Sequence, residues 1–121
     1  MMKVAFSTSG EALDAPLDGR FGRAPRFLVY DLDSATFELV DNDQALNSAQ
    51  GAGIQAAEKV SRAGVGCVVT GHCGPKAFRV LSAAGIKVYN TNSATVAEAL
   101  EQLRSGRLTP ASAAGVDGHW L

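Results

Sequence analysis

Long apolar runs are absent from this sequence. None approaches the roughly 20 residues that a bilayer-spanning helix needs, so a helical membrane protein is excluded. The opening residues turn polar at Ser7, straight after Val4-Ala5-Phe6, which is too short for a signal-peptide core. A cytoplasmic location is therefore expected. An excess of charge of either sign is missing too: 11 Lys and Arg stand against 12 Asp and Glu, a net charge of −1. That balance excludes a sequence-wide attraction to nucleic acid or to an anionic membrane. Cysteine is scarce. Cys67 and Cys73 are too few for a disulfide framework, and their spacing is not that of a zinc-ligand pair. Cys67 lies in the apolar run from Val65 to Val69, which marks it as a core residue.

What remains is a globular composition, with 46% hydrophobic and 19% charged residues in 121, enough for one α/β domain. Lys3 to Thr8 reads as a strand. Arg26 to Leu32 and Ala35 to Val40 read as a hairpin about the turn Asp33-Ser34. The period then becomes helical: Ile54, Ala57 and Val60 mark a helix from Ile54 to Ala63, stopped by Gly64. Val65 to Thr70 is a continuous apolar run, the pattern of a strand buried on both faces. Pro75 to Ala84 is a second helix with proline in its first turn, and Gly85 ends it. Ile86 to Tyr89 is a short strand. Ser93 or Thr95 caps a last helix that carries Val96, Ala99, Leu100 and Leu103 on one face and closes at Gly106. Residues 1–107 are expected to form a single domain, and 108–121 a tail loosely held except at its end.

The order β-β-β-α-β-α-β-α, with right-handed crossovers and short connections, predicts a mixed sheet ordered 3-2-1-4-5 with helices on both faces. Its loops divide unequally. The bottom turns are short and plain. The top connections, Ser9 to Pro25, Asp41 to Gly53, Gly71 to Gly74 and Asn90 to Ala94, hold most of the unusual residues. Ligands of open α/β sheets sit at this carboxyl end. The N-termini of all three helices are expected there, offering unpaired N–H groups and partial positive charge to an anion.

Each top loop has a functional and a plain reading. In Gly19-Arg20-Phe21-Gly22-Arg23, the arginines offer forked donors to an oxyanion or a similar acceptor, and the glycines let backbone come close. The plain reading is a surface turn with solvated arginines. In the segment from Asn47 to Gly53, Asn47 or Ser48 can cap a helix while Gly51 and Gly53 leave room above it. The turn Gly71-His72-Cys73-Gly74-Pro75-Lys76 lacks the pattern of a P-loop, yet its backbone can cradle an anion. His72 and Cys73 offer nitrogen and sulfur to a soft metal. The plain reading is a turn whose side chains face solvent. Gly118-His119-Trp120 closes the chain; its tryptophan fills a groove, covers a ligand or meets a neighbouring subunit.

Taken together, these residues resemble the dinitrogenase iron–molybdenum cofactor-binding family, in particular its small stand-alone, orange-protein-like members. The resemblance is carried by the opening strand with Ser7 and Gly10, the segment from Arg20 to Phe27, the Asn47 to Gly53 loop, the Gly71 to Lys76 turn and the closing Gly118-His119-Trp120. It implies a three-layer α/β/α, ribonuclease H-like fold. It also implies non-catalytic binding, carriage or assembly of an anionic molybdenum-containing metal–sulfur cluster, with iron or copper as second metal, and cluster donor and acceptor proteins as partners. The residues expected to hold that cargo are Ser7, Ser9, Arg20, Phe21, Gly22, Arg23, Asn47, Gly51, Gly53, Gly71, His72, Cys73, Gly74 and Lys76. Direct metal ligands would come from Cys73, His72 or His119. The chain departs from a conventional iron–sulfur protein in lacking four thiolates, so N–H···S contacts and charge would carry most of the binding.

Two other functions compete. One is a phosphometabolite-binding or regulatory module using the same anion cleft. The other is an enzyme. A nuclease of this fold needs carboxylates on the central strands to hold metal ions, where this chain has Ser7, Thr8, Ser9 and Thr70. A hydrolase would need Cys73 as nucleophile, assisted by His72 or His119.

Overall fold

The computed structural model describes residues 2–42 and 52–111. Strands β1 (Lys3–Thr8), β2 (Arg26–Asp31), β3 (Thr36–Asp41), β4 (Cys67–Thr70) and β5 (Lys87–Asn90) form one sheet ordered β3-β2-β1-β4-β5. The pairs β1–β2 and β2–β3 are antiparallel; β1–β4 and β4–β5 are parallel. This is the mixed sheet that the order of elements predicts. Helices α1 (Ala52–Arg62), α2 (Pro75–Ala83) and α3 (Val96–Arg104) cover it.

Alternation along the strands sorts the molecule into three layers. Ala5, Val29, Val68 and Val88 face one side, where they meet Ala56, Val60, Ala77 and Leu81 of α1 and α2. Val4, Phe6, Leu28 and Val69 face the other, against Val96, Ala99 and Leu100 of α3. Small residues at 56, 57 and 77 let α1 and α2 lie close together on the first face.

Several boundaries differ from the sequence expectation, each for a local reason. Expected from Ala35, β3 begins at Thr36, because Ala35 takes a left-handed conformation (φ 59°) that closes the turn. Asp31 ends β2 by accepting the N–H groups of Asp33 and Ser34 on its carboxylate. Expected from Val65, β4 begins at Cys67, although Val65 is buried in the core. The segment after α3 is not loose at its start. Leu108 packs against the α3-side core, and Ala111 N–H donates to the Val88 carbonyl at 2.7 Å, along the outer edge of β5. Among the described residues, no helix is long and apolar enough to cross a membrane.

Candidate functional site

The long β1–β2 loop does two jobs, and two buried hydroxyls at the end of β1 divide them. Thr8 Oγ1 donates to the Pro16 carbonyl, which fixes the first half of the loop over α3. There the carbonyls of Leu13 and Ala15 accept the N–H groups of Ala97 and Val96. Thr95 Oγ1 accepts from Glu98 N–H, and Glu98 Oε1 accepts from Ala94 N–H. The first turn of α3 is therefore satisfied by protein groups. This corrects the expectation that three helix N-termini face a ligand: that of α3 is spent on the fold.

Ser7 governs the second half. Its Oγ lies 2.7 Å from both the Asp18 carbonyl oxygen and Thr70 Oγ1, and Ser7 and Thr70 are fully buried. Asp18 N–H donates to the Ser7 carbonyl, so the loop crosses the top of the sheet at this point. Phe21 N–H then donates to the His72 carbonyl at 3.0 Å, which ties this loop to the turn after β4. The glycines permit the approach. A Cβ on Gly71 would lie 2.7 Å from Gly19 Cα, and one on Gly22 would lie 2.9 Å from Gly53 Cα. Any larger residue at either place would push the segments apart.

The result is a cleft of about 510 Å³ on the α1/α2 side of the sheet. Arg20, Phe21, Gly22 and Arg23 form one wall, Ala52, Gly53 and Ile54 a second, and His72 with Gly74 to Ala77 a third. The cations Arg20, Arg23 and Lys76 line it, and among its described lining residues there is no carboxylate. Asp18 stands beside it. Its Oδ1 accepts the Arg20 backbone N–H at 2.9 Å and is 3.9 Å from Arg20 Nε. The Arg20 side chain is 72% exposed while that of Asp18 is 15% exposed; the ion pair is long and solvent-screened on its arginine side, so Arg20 can turn to a bound anion. At the start of α2, Gly74 supplies no side-chain cap and Pro75 has no N–H. The N–H groups of Lys76 and Ala77 belong to a first turn without intrahelical partners.

Of the expected site residues, Arg20, Phe21, Gly22, Arg23, Gly53, His72, Gly74 and Lys76 come together here. Asn47, Gly51 and His119 lie outside the described residues, as does Trp120. Four are placed elsewhere. Ser7 and Gly71 act beneath the cleft, as the loop's pin and its close-approach point. Ser9 is exposed, and its carbonyl accepts from Arg26. Cys73 is the main correction: it is 1% exposed and packs in the core with Phe21, Phe27 and Leu81. Burial pushes its thiol up to about 12, so without a bound metal it stays protonated at neutral pH and is not poised as a nucleophile. His72, next to it, is exposed at the cleft. The two cannot act as a pair. Among the described residues, no three His, Cys, Asp or Glu side chains gather as a metal site.

Asn42 has no counterpart in the sequence expectation. It is fully buried just past β3, its Nδ2 donates to the Ala24 carbonyl at 2.8 Å, and its N–H donates to that of Pro25. It therefore holds the chain that carries Arg23. Ala52, Ile54, Pro75 and Ala77 also line the cleft unexpectedly. Their signal in the sequence is only their place at a helix start, since apolar side chains announce no chemistry.

Solved structures share this architecture. The apo form of the orange protein from Desulfovibrio gigas superposes with a TM-score of 0.92 at 38% identity, over 96% of this chain and 98% of that one. A putative NifB protein from Thermotoga gives 0.83 at 33% identity, over 98% and 100%. An uncharacterized protein of Methanocaldococcus jannaschii is 27% identical over 111 residues, 89% of this chain and 90% of its own. Residues 2–106 match the model of the family described as dinitrogenase iron-molybdenum cofactor, and the chain belongs to that family.

Proposed function

We propose that this protein holds a compact, anionic molybdenum-containing metal–sulfur cluster, of the iron–molybdenum or molybdenum–copper sulfide type, as non-covalent cargo and without catalysing a reaction on it. One observation carries the reading: the cleft combines Arg20, Arg23 and Lys76 with apolar walls and, among its described lining residues, no carboxylate, while the nearest thiol is buried and protonated. A hard, strongly hydrated cation would want oxygen ligands, and a bare soft cation thiolates. A soft, sulfide-faced anion instead suits arginine forks and backbone N–H groups for its charge, and Ala52, Ile54, Pro75 and Ala77 for its polarizable faces. Family membership and the likeness to the orange protein support the same reading.

The first turn of α2 also suits a phosphate, which keeps a phosphometabolite as second reading. The apolar share of the lining favours the cluster.

Anaerobic incubation with tetrathiomolybdate and either Cu(I) or Fe(II), followed by gel filtration, tests the proposal. Molybdenum should co-elute with the protein and carry visible absorbance. Arg20→Ala combined with Arg23→Ala should weaken retention at least tenfold, since each charge-assisted contact contributes roughly 1.5 kcal/mol or more. Retention should also fall as ionic strength rises. A parent protein that elutes colourless, yet is thermally stabilised by phosphate or nucleotides, would shift the assignment to the second reading.

A further inference from the structure

Glycine at position 74 is not explained by the fold. Gly64, Gly85 and Gly106 have positive φ, and Gly10, Gly22, Gly53, Gly66 and Gly71 are each pressed by a neighbouring atom. Among the described glycines, that leaves Gly19 and Gly74. Gly19 lends its backbone to the close approach of Gly71 and is not part of the cleft lining. Gly74 sits at φ −68° and ψ 167°, a conformation open to every L residue, and among the described residues a Cβ there would meet nothing within 4 Å. It is also the N-cap of α2, where Ser, Thr, Asp or Asn would satisfy one of the helix's bare N–H groups and add stability. Backbone, packing and capping all permit a side chain at this position. What distinguishes it is that it lines the cleft between His72 and the first turn of α2.

We infer that Gly74 is a specificity-determining residue: its missing side chain keeps the floor of the cleft open, so that a multinuclear cargo can seat against the N–H groups of Lys76 and Ala77. This rests on the cargo reading above and adds to it a size limit set at one residue. A single tetrahedral anion has room to shift within about 510 Å³. A rigid cluster spanning from the arginines to α2 does not, and a Cβ or a hydroxyl at position 74 would hold it off the helix.

The test uses Gly74→Ala and Gly74→Ser in the full chain. Melting temperature is recorded first, then retention of tetrathiomolybdate alone and of the copper- or iron-containing cluster after gel filtration. Gly74→Ser is expected to melt no lower than the parent. It should hold tetrathiomolybdate within about threefold and lose at least about tenfold in cluster retention, a difference near 1.4 kcal/mol or more; Gly74→Ala should follow it more weakly. Equal cluster retention by parent and Gly74→Ser would overturn the inference and leave the cargo reading standing. A fall in melting temperature beyond about 5 °C, which is on the order of 1 kcal/mol for a domain of this size, would make Gly74 a structural glycine and overturn it as well. A parent that retains neither species removes the cargo reading, and this one with it.

Discussion

His72 and Cys73 are neighbours in sequence with opposite fates. The turn after β4 leaves His72 exposed at the cleft and drives the thiol into the core beside Phe21 and Leu81. Burial raises both thiols, Cys67 to about 11 and Cys73 to about 12, with Lys87 partly offsetting the rise at Cys67. The consequence for stability follows from which state binds the proton. Below pH 9.0, the ordinary thiol value, folded and unfolded chains both keep these protons, and the stabilising contribution is fully present. Above it the unfolded chain ionises first, so stability falls as pH rises toward 11 and 12. The stability gap between the parent and a Cys67→Ala, Cys73→Ala double variant should therefore narrow between about pH 7 and about pH 10.5, read by urea denaturation. Cys73→Ala alone should keep cargo within about twofold while losing roughly 1 kcal/mol of stability through the small void it leaves. Loss of cargo without loss of stability would return Cys73 to the site.

At the scale of elements, the strands and helices were legible because their periods differ and glycines punctuate them. Gly64, Gly85 and Gly106 all have positive φ at helix ends, as their position after apolar-periodic segments implies. Loops were less legible, because spacing along a chain does not say toward which side of a sheet a loop residue turns. Arg20, Arg23 and Lys76 could be placed at the cleft, since each arginine directly follows a glycine and the lysine stands in the first turn of a helix that opens after one. Ser7 and Cys73 could not be placed correctly, since a hydroxyl or thiol serves a core pin or a ligand equally well. Asn42 looks like any polar residue leaving a strand until the carbonyl of Ala24 is found against it. The doubled role of the β1–β2 loop belongs to this class: nothing in Leu13 to Pro16 says that it closes the start of α3. That closure has a checkable weight. Thr95→Ala removes the cap on Glu98 N–H, and should cost about 1 kcal/mol in chemical denaturation. Cargo retention should be unchanged, because α3 lies on the opposite face of the sheet from the cleft.

Across the whole molecule, the sheet separates a structural side from a receiving side. The α3 face is closed: its core is continuous, and the first-turn N–H groups of Val96 and Ala97 already have the carbonyls of Ala15 and Leu13 as partners. The α1/α2 face is open at its top, where the cations gather and where α2 begins without a side-chain cap. Anything that binds there should steady one end of one face and leave the other as it was. Amide hydrogen exchange can see this division, because a bound anion adds protection where an N–H lacked a partner and little where it had one. Loading with the cluster should slow exchange at Lys76 and Ala77, in the first turn of α2. Exchange at Val96 and Ala97 should stay within about twofold, the change left by modest global stabilisation when those amides open locally. Equal protection at the starts of α2 and α3 would mean that cargo spans the whole upper rim of the sheet, and the one-sided cleft would be the wrong picture of where it sits.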